Sequence, residues 1–219
     1  MVRDGIYYAL AFVAGGLLIG YLATPWLAAP LFLLGAFCAW FFRDPERIVP
    51  PGNVMVSPAD GKVVAVAPEV GGRTRISIFL NVFDVHVNRS PVSGTITDIR
   101  YQKGKFVNAA LPAASIENEM NTFTVDSNGS TVVFKQIAGL IARRIVCYMH
   151  PGDHVDVGQR IGMIKFGSRC DVIFGPEWNL AVTPGMRVSA GSSVLARRKG
   201  SGELDHAAAT SSEVNVWRN

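Results

Sequence analysis

The residues of this sequence best suited to chemistry are Gly167 and Ser168, which lie between two apolar, strand-like runs. A serine hydroxyl that directly follows glycine can attack the preceding carbonyl carbon, because glycine has no side chain to block the approach. Such an attack would cut the chain between Gly167 and Ser168. Gly-Ser pairs are also common in ordinary hairpin turns and bulges, so other residues must decide between the two interpretations.

A histidine and an aspartate are candidates to activate that serine. In the run from Ile76 to Asn88, a two-residue strand period predicts that Asp84, His86 and Asn88 share one face. His86 could act there as a general base, because histidine titrates closest to neutral pH, or it could belong to a half-exposed polar face. Asp60 lies in a Pro-Ala-Asp-Gly turn and could orient a histidine that the fold brings near.

The remaining histidines and the cysteines carry weaker signals. His150 and His154 flank a turn and are expected at the surface, and His206 lies in the C-terminal tail. The three cysteines are odd in number and contain no C-x-x-C pair, which is typical of a reducing compartment. We therefore expect neither a disulfide scaffold nor a metal site.

The start of the chain is strongly apolar. No charged residue occurs from Gly5 to Phe42, whereas one membrane-spanning helix needs about 20 residues. Pro25 and Pro30 lie in the middle of this run, so we expect a helical hairpin with arms from Gly5 to Ala23 and from Leu27 to Phe42. Arginines precede and follow the run, which by the positive-inside rule puts both ends of the hairpin in the cytoplasm. A re-entrant or interfacial anchor is the alternative that the sequence leaves open.

The rest of the chain is typical of β-structure. After Pro51 and Gly52 the sequence changes to short β-branched runs separated by Gly, Pro, Asn and Asp. A loop with a helical turn is expected over residues 108–121. The predicted strands are residues 62–66, 74–88, 95–101, 131–134, 143–148 and 171–174.

Two motifs recur about 33 residues apart. The turn from Ser57 to Gly61 returns from Ser90 to Gly94, and Pro151 to Gly158 returns as Pro184 to Gly191. Such echoes predict a folded-over β-sandwich of barrel-sandwich-hybrid-like hairpins behind the N-terminal helical hairpin. The expected division is a membrane anchor over residues 1–45, a catalytic β domain over 46–199 and a flexible tail over 200–219.

The Pro-Gly turns also allow a different class of function. They resemble the turns of biotinyl and lipoyl carrier domains, and a membrane-fusion adaptor would combine such hairpins with an anchor. A carrier needs a lysine at an exposed hairpin tip, but Lys62 follows a turn glycine and Lys165 lies in an apolar run. An adaptor would carry coiled-coil heptads, which the sequence lacks. The basic cluster Arg197 to Lys199 is better suited to anionic lipid head groups than to nucleic acid.

Six ordered motifs make this chain resemble the phosphatidylserine decarboxylase proenzymes, in particular their short bacterial branch. Matches of this kind in one order are far more specific than any one of them. The motifs are Phe41 to Arg47, Ser57 to Gly61, Phe83 to Pro91, Lys103 to Ala109, Glu117 to Glu119 and Phe166 to Arg169.

The resemblance implies an enzyme that makes its own pyruvoyl cofactor. Ser168 would attack the Gly167 carbonyl, and elimination and loss of ammonia would leave a pyruvoyl group at the start of the smaller of two chains. Asp60 and His86 match positions that the family uses to activate the serine. The implied reaction converts phosphatidylserine to phosphatidylethanolamine and CO2 through a Schiff base. The implied partners are a phospholipid, the cell membrane, the two chains of one proenzyme and a possible second copy, with no nucleic acid.

The chain departs from the pattern of longer members at two positions. They carry a second histidine where this chain has Arg89, and Thr or Ser where it has Arg169. Either arginine could hold the lipid phosphate or carboxylate, or form a surface ion pair. Because the candidate cutting residues follow Phe42, removal of the apolar run is expected to leave self-cleavage intact.

Overall fold

The computed structural model describes residues 1–105, 107, 109, 114–139, 144–165 and 167–200. It begins with a hairpin of two helices, α1 (Arg3–Leu22) and α2 (Pro25–Phe41), which confirms the predicted helical hairpin. Pro25 is the first residue of α2, where its missing N–H would have no helical partner. Pro30 lies inside α2, within the predicted second arm. An apolar helix packed along a neighbour tolerates the lost backbone hydrogen bond.

The hairpin leaves most of its apolar side chains exposed. Tyr21, Trp26 and Leu33 are 87%, 86% and 72% accessible. Among the described residues α1 is the one helix long and apolar enough to cross a membrane, and α2 is a shorter apolar helix. The interior of this hairpin is formed by close packing of small residues, such as Gly16 against the ring of Phe32.

The described part of the chain after the hairpin is mainly β, as the sequence predicts. It contains one short helix, α3 (Ala114–Glu117), in the region predicted to hold a helical turn. Its strands are β1 (Val54–Val56), β2 (Gly61–Glu69), β3 (Arg73–Leu80), β4 (Val87–Arg89), β5 (Gly94–Gln102), β6 (Met120–Ser127), β7 (Ser130–Ala138), β8 (Ile145–Cys147), β9 (His154–Val155), β10 (Arg160–Ile164), β11 (Ser168–Phe174), β12 (Trp178–Leu180), β13 (Arg187–Val188) and β14 (Val194–Arg198).

The strands form one curled sheet of eight and two sheets of three. The large sheet has the order β13-β2-β3-β11-β7-β6-β5-β9, and the small sheets are β1-β14-β12 and β4-β10-β8. Strand β11 therefore lies in the middle of the large sheet, between β3 and β7. Its first residue, Ser168, pairs with Leu80 on one side and Ala138 on the other. This central place explains why Ser168 is fully buried.

The 33-residue echoes correspond to two copies of one local structure. The hydroxyl of Ser57 donates to the carbonyl two residues ahead at 2.6 Å, and that of Ser90 does the same at 2.7 Å. The amide of Gly191 donates to the carbonyl of Ser57, and the amide of Gly158 donates to that of Ser90, both at 2.8 Å. Each Ser-Pro turn is thus held by a Pro-Gly hairpin, which supports the hairpin architecture inferred from the sequence.

The strand predicted over residues 74–88 is interrupted. Strand β3 ends at Leu80, and β4 begins only at Val87. The Asn81 side chain accepts from the amide of Phe83 at 2.7 Å, and Asp84 accepts from the amide of Asn81 at 2.9 Å. These side chains satisfy backbone groups that a strand would have paired, so they stabilise a turn. The predicted polar strand face was therefore wrong, and His86 is fully buried beyond the turn.

The hairpin and the β domain share an apolar cluster. The main core takes buried side chains from all three sheets and includes the stacked Phe123 and Phe134 rings, 4.4 Å apart. A second cluster joins the end of α2 to the strands of the small sheet β4-β10-β8. Its buried members are Phe41, Phe42, Val85, Val87 and Met163.

Candidate active site

The Gly167 to Ser168 bond lies where the chain leaves β10 and enters β11. Gly167 has φ of 58°, a left-handed conformation that glycine adopts without the steric cost paid by other residues. Two other described Gly-Ser pairs share this feature, with φ of 79° at Gly129 and 74° at Gly191. Backbone shape alone therefore does not mark the predicted cleavage position.

A buried histidine distinguishes the bond between Gly167 and Ser168 from the other two Gly-Ser pairs. The amide of Gly167 donates to Nε2 of His86 at 3.3 Å, and Nδ1 of His86 lies 2.9 Å from the carbonyl oxygen of Asp84. Because a carbonyl can only accept, Nδ1 carries the proton, and Nε2 presents its lone pair to Gly167. The structure thus brings together three of the residues chosen from the sequence: Gly167, Ser168 and His86.

The surroundings of His86 keep its imidazole neutral. Burial lowers the pKa of His86 to about 4, against a weaker opposing effect of the hydrogen bond to the Asp84 carbonyl. The Phe41 ring lies 4.5 Å from the imidazole, centroid to centroid, and both side chains are fully buried. At neutral pH the imidazole can therefore accept a proton, which a general base must do.

Ser168 Oγ is buried and has no hydrogen-bond partner among the described residues. Buried hydroxyls are nearly always paired, so an unpaired one marks a group with a possible chemical role. The matched hydroxyl of Ser130 differs, since it donates to Glu177 and accepts from the Trp178 indole. Of these two serines, Ser168 is the one whose oxygen is left available.

Gly139 lies against the carbonyl that Ser168 would attack, and sequence reasoning missed it. A methyl group added to Gly139 would stand 2.1 Å from the carbonyl oxygen of Gly167. Asn118, in the family-like Glu-Asn-Glu motif, supports this place by donating to the carbonyl of Ala138 at 2.7 Å. It also binds both backbone groups of Val107. No local pattern marks Gly139, because the approach joins residues far apart in sequence.

Asp60 does not contact His86 in any hydrogen bond or ion pair between described residues. Arg47 binds both of its carboxylate oxygens, at 3.0 and 2.7 Å, and the amide of Ala190 donates to it at 2.7 Å. The carboxylate thus connects the segment after α2 to the β13 region. Its predicted role in activating the serine stays a prediction, and His86 is oriented instead by the Asp84 carbonyl.

Arg89 and Arg169 are buried rather than placed in surface ion pairs. Arg89 donates to Asp44 at 2.9 Å and to the carbonyl of Gly158 at 3.0 Å. Arg169 binds both oxygens of buried Asp171, at 2.6 and 3.0 Å. Both guanidinium groups are thus engaged by carboxylates inside the protein.

The other polar candidates lie away from this cluster. His150 and His154 are exposed, as expected. Lys62 lies within β2 rather than at a hairpin tip, and Lys165 is buried in an ion pair with Asp4. Across the described residues, no three His, Cys, Asp or Glu side chains are grouped as metal ligands.

A cavity of about 630 Å³ opens beside the base of the hairpin. Val87, the neighbour of His86, lies in its wall, but neither His86 nor Ser168 does. Its charged lining comes from both the hairpin and the β domain: Arg3, Asp4, Asp44, Glu46 and Arg160.

The fold and site define a mainly β protein with a buried Gly-Ser junction next to a neutral histidine. Comparison with known proteins makes this class specific. A family model for phosphatidylserine decarboxylase matches residues 34–196. A phosphatidylserine decarboxylase proenzyme of Solibacter usitatus (strain Ellin6076) is 62% identical over 198 residues, covering 90% of this chain and 97% of that protein.

A second relative agrees. A phosphatidylserine decarboxylase proenzyme of Beijerinckia indica subsp. indica is 44% identical over 199 residues, which cover 84% of this chain and 86% of that protein. The chain belongs to the phosphatidylserine decarboxylase family.

Proposed function

We propose that this protein decarboxylates phosphatidylserine with a pyruvoyl group that it makes by cutting itself between Gly167 and Ser168. The observation that carries the proposal is the contact of the neutral His86 imidazole with the amide of Gly167, beside an unpaired and buried Ser168 hydroxyl. Membership of the family supplies the substrate, since the relatives are named phosphatidylserine decarboxylase proenzymes.

In the proposed maturation, Ser168 Oγ bonds to the carbonyl carbon of Gly167 and the peptide C–N bond breaks, which leaves an ester and a free amine. A base then removes the α-proton of residue 168, and the bond between Cβ and Oγ of that residue breaks, which releases the Gly167 carboxylate and leaves a Cα=Cβ double bond. Water converts the resulting enamine to a ketone with loss of ammonia. Both the attack and the elimination need a proton acceptor, and His86 is the neutral base nearest to this bond.

The mature group would stand at the start of β11. It would supply an electrophilic carbonyl that reacts with the substrate amine and draws electrons from the bond to the leaving carboxylate. The chain itself would hold this position rigidly, because β11 is paired on both sides. His86 would remain beside it to return a proton to the α-carbon of the substrate.

The hairpin would hold the protein at the membrane that contains its substrate. Its support is the exposed apolar surface of α1 and α2, including Tyr21, Trp26 and Leu33. By the distribution of arginines around the run, the β domain would face the cytoplasm.

Lysine in the middle of an apolar span is unfavourable by about 2.5–3.5 kcal/mol, so Leu17→Lys with Leu33→Lys should weaken retention on phospholipid vesicles. Val70→Lys, at an exposed apolar residue of the β2–β3 turn, is the matched control.

Intact mass tests the cleavage directly. The purified protein is expected as two chains, the smaller beginning at position 168 with a blocked amino terminus, whereas Ser168→Ala should stay uncut. Ser192→Ala is the matched control, because Ser192 also follows a left-handed glycine. An active protein that remains one uncut chain would refute the proposal.

Chemical trapping tests the electrophile. Borohydride added with phosphatidylserine should attach the lipid amine to the small chain at residue 168, and hydroxylamine should inhibit. A carrier domain would instead gain mass on a lysine while its backbone stays whole. An adduct that maps to a lysine, or full activity after reduction, would contradict the pyruvoyl mechanism.

A further inference from the structure

The base of the helical hairpin contacts the candidate processing site in several places. Residues 41–47, here named the base segment, begin at the last residue of α2 and carry the family-like motif Phe-Phe-Arg-Asp-Pro-Glu-Arg. The ring of Phe41 covers the imidazole of His86 at 4.5 Å. Arg43 donates to the carbonyl of Phe83 at 2.7 Å, in the turn that precedes His86. The base segment therefore forms a wall of the pocket that holds His86.

The same segment binds two further groups singled out from the sequence. Arg47 holds the carboxylate of Asp60, and Asp44 accepts from Arg89 at 2.9 Å and from Arg160 at 2.5 Å. Arg89 and Arg160 belong to the paired strands β4 and β10. Seven consecutive residues thus fasten the hairpin to the strands that bring His86 to Gly167.

The first turn of α1 contacts the segment that leads into the cleavage position. Asp4 accepts from Lys165 at 2.9 Å, and Lys165 precedes Ser168 by three residues. The Lys165 side chain is 9% exposed, and its ammonium lies 5.4 Å from the ring of Tyr8. Gly5 packs directly on Phe42, and the amide of Val2 donates to the Phe42 carbonyl at 3.0 Å. The start of α1 and the end of α2 are therefore fixed together over this junction.

We propose that the base of the hairpin positions the processing site, with Phe41 shielding His86 and Asp4 holding Lys165, so that cleavage depends on a docked hairpin. This inference rests on the proposed function. It reverses the expectation from the sequence that the hairpin is separable from self-cleavage. Phe41 and Asp4 act through their neighbours and are positioning residues.

Shielding by Phe41 has a specific consequence for pH. The charged groups that face His86 are Asp84, from its own turn, and Arg43, from the base segment. Asp84 is bound in turn by Arg187 of β13 at 3.1 Å. Removal of the Phe41 ring would admit water to the imidazole and reduce the desolvation that keeps it neutral in acid. The acid limb of the pH profile, where the cleavage rate falls as His86 gains a proton, would then move to higher pH.

The experiment follows cleavage of newly synthesised full-length chain in phospholipid vesicles from pH 4 to pH 8. Loss of an aromatic contact of about 0.5–1.5 kcal/mol predicts that Phe41→Ala cleaves about 2- to 10-fold more slowly at pH 7. Its acid limb should also move from about pH 4 towards 6.5. Phe41→Leu keeps the site apolar, so its acid limb should stay near pH 4. A wild-type rate and limb for Phe41→Ala, or a slower rate with an unmoved limb, would overturn the role of Phe41.

The ion pair has its own test. Asp4→Asn and Lys165→Met should each slow cleavage several-fold, and exchange of the charges by Asp4→Lys with Lys165→Asp should restore most of the rate. Asp98→Asn, in an exposed pair with Arg100, is the matched control. Single variants that mature like the wild type would refute the coupling. If the wild-type chain itself never cleaves, the proposed function fails instead, so the two failures are distinguishable.

Discussion

Nε2 of His86 lies 3.3 Å from the backbone nitrogen of Gly167, although 81 positions separate the two residues. The contact follows from the pairing of β4 with β10, in which Val87 is opposite Met163. The amide of Ile164 then donates to the carbonyl of His86 at 3.3 Å, so the segments before β4 and after β10 remain side by side. Sheet register, rather than a local motif, places the base at the bond.

Replacement of His86 should separate its chemical role from its place in the core. His86→Gln keeps a side-chain acceptor for the Gly167 amide but offers no base at neutral pH. His86→Ala removes both. Each is expected to slow self-cleavage by about 10²- to 10⁴-fold, measured as the rate at which the full-length chain disappears. His154→Ala, at an exposed position on β9, should mature normally. Normal maturation of both His86 variants would contradict the assignment.

The acid dependence of cleavage should follow the lowered pKa of His86. Because burial lowers that pKa to about 4, the imidazole stays neutral well below its usual titration range. The rate constant is therefore expected to be level from pH 8 to about 5 and to reach half its maximum near pH 4. A midpoint near 6.5, the value of an unburied histidine, would show that His86 is not the group that titrates.

Stability should depend on the same group. The unfolded chain protonates His86 near pH 6.5, and the folded chain does so only near 4. The folded state binds fewer protons between these values, so the contribution of His86 to stability is present above 6.5 and is lost as pH falls. Denaturant unfolding at pH 7 and pH 5 should show a smaller loss of stability for His86→Gln than for the wild type.

Local pattern was sufficient for some features of the chain and insufficient for others. The Ser-Pro turns at Ser57 and Ser90 could be predicted because their hydrogen bonds span two residues. The apolar run likewise predicted the helical hairpin, because the pattern that indicates it lies within one continuous segment. The turn at Asn81 was missed because its β-branched surroundings favour a strand, while its side-chain hydrogen bonds favour a turn.

The geometry of the site could not be read from local pattern. The contacts of Phe41 with His86 and of Asp4 with Lys165 join residues 45 and 161 positions apart. Nothing in the neighbouring sequence of either pair indicates its partner. The motif from Phe41 to Arg47 was recognisable only as a resemblance, and its contacts require the fold.

Asp60 and Arg47 form one unit in the structure, and paired variants test what that unit does. Loss of one partner leaves the other largely buried without its opposite charge, which costs about 1–3 kcal/mol. Asp60→Asn and Arg47→Met should therefore lower the unfolding midpoint and slow maturation by similar factors, with the acid limb unmoved. A defect in Asp60→Asn alone would instead favour the direct action on the serine that the sequence suggested. Thermal unfolding of the uncut Ser168→Ala background separates the effect on stability from the effect on cleavage.

Gly139→Ala should block or strongly slow self-cleavage while it leaves the fold intact. The added methyl group would stand 2.1 Å from the carbonyl oxygen of Gly167, closer than real atoms approach, so one of the two backbones must shift. Both glycines lie one residue outside a strand, Gly139 after β7 and Gly167 before β11, so the strand pairing leaves the Gly167 carbonyl able to shift. A shift of that carbonyl changes the line along which Ser168 Oγ reaches the carbon, and small misplacements of reacting atoms cost about 10²-fold in rate. Gly15→Ala is the control, since its methyl group would meet Leu31 at an ordinary 3.6 Å. The fraction of cut chain after synthesis measures the effect, and circular dichroism reports the fold. Cleavage of Gly139→Ala at the wild-type rate would show that close packing on this carbonyl does not control the reaction.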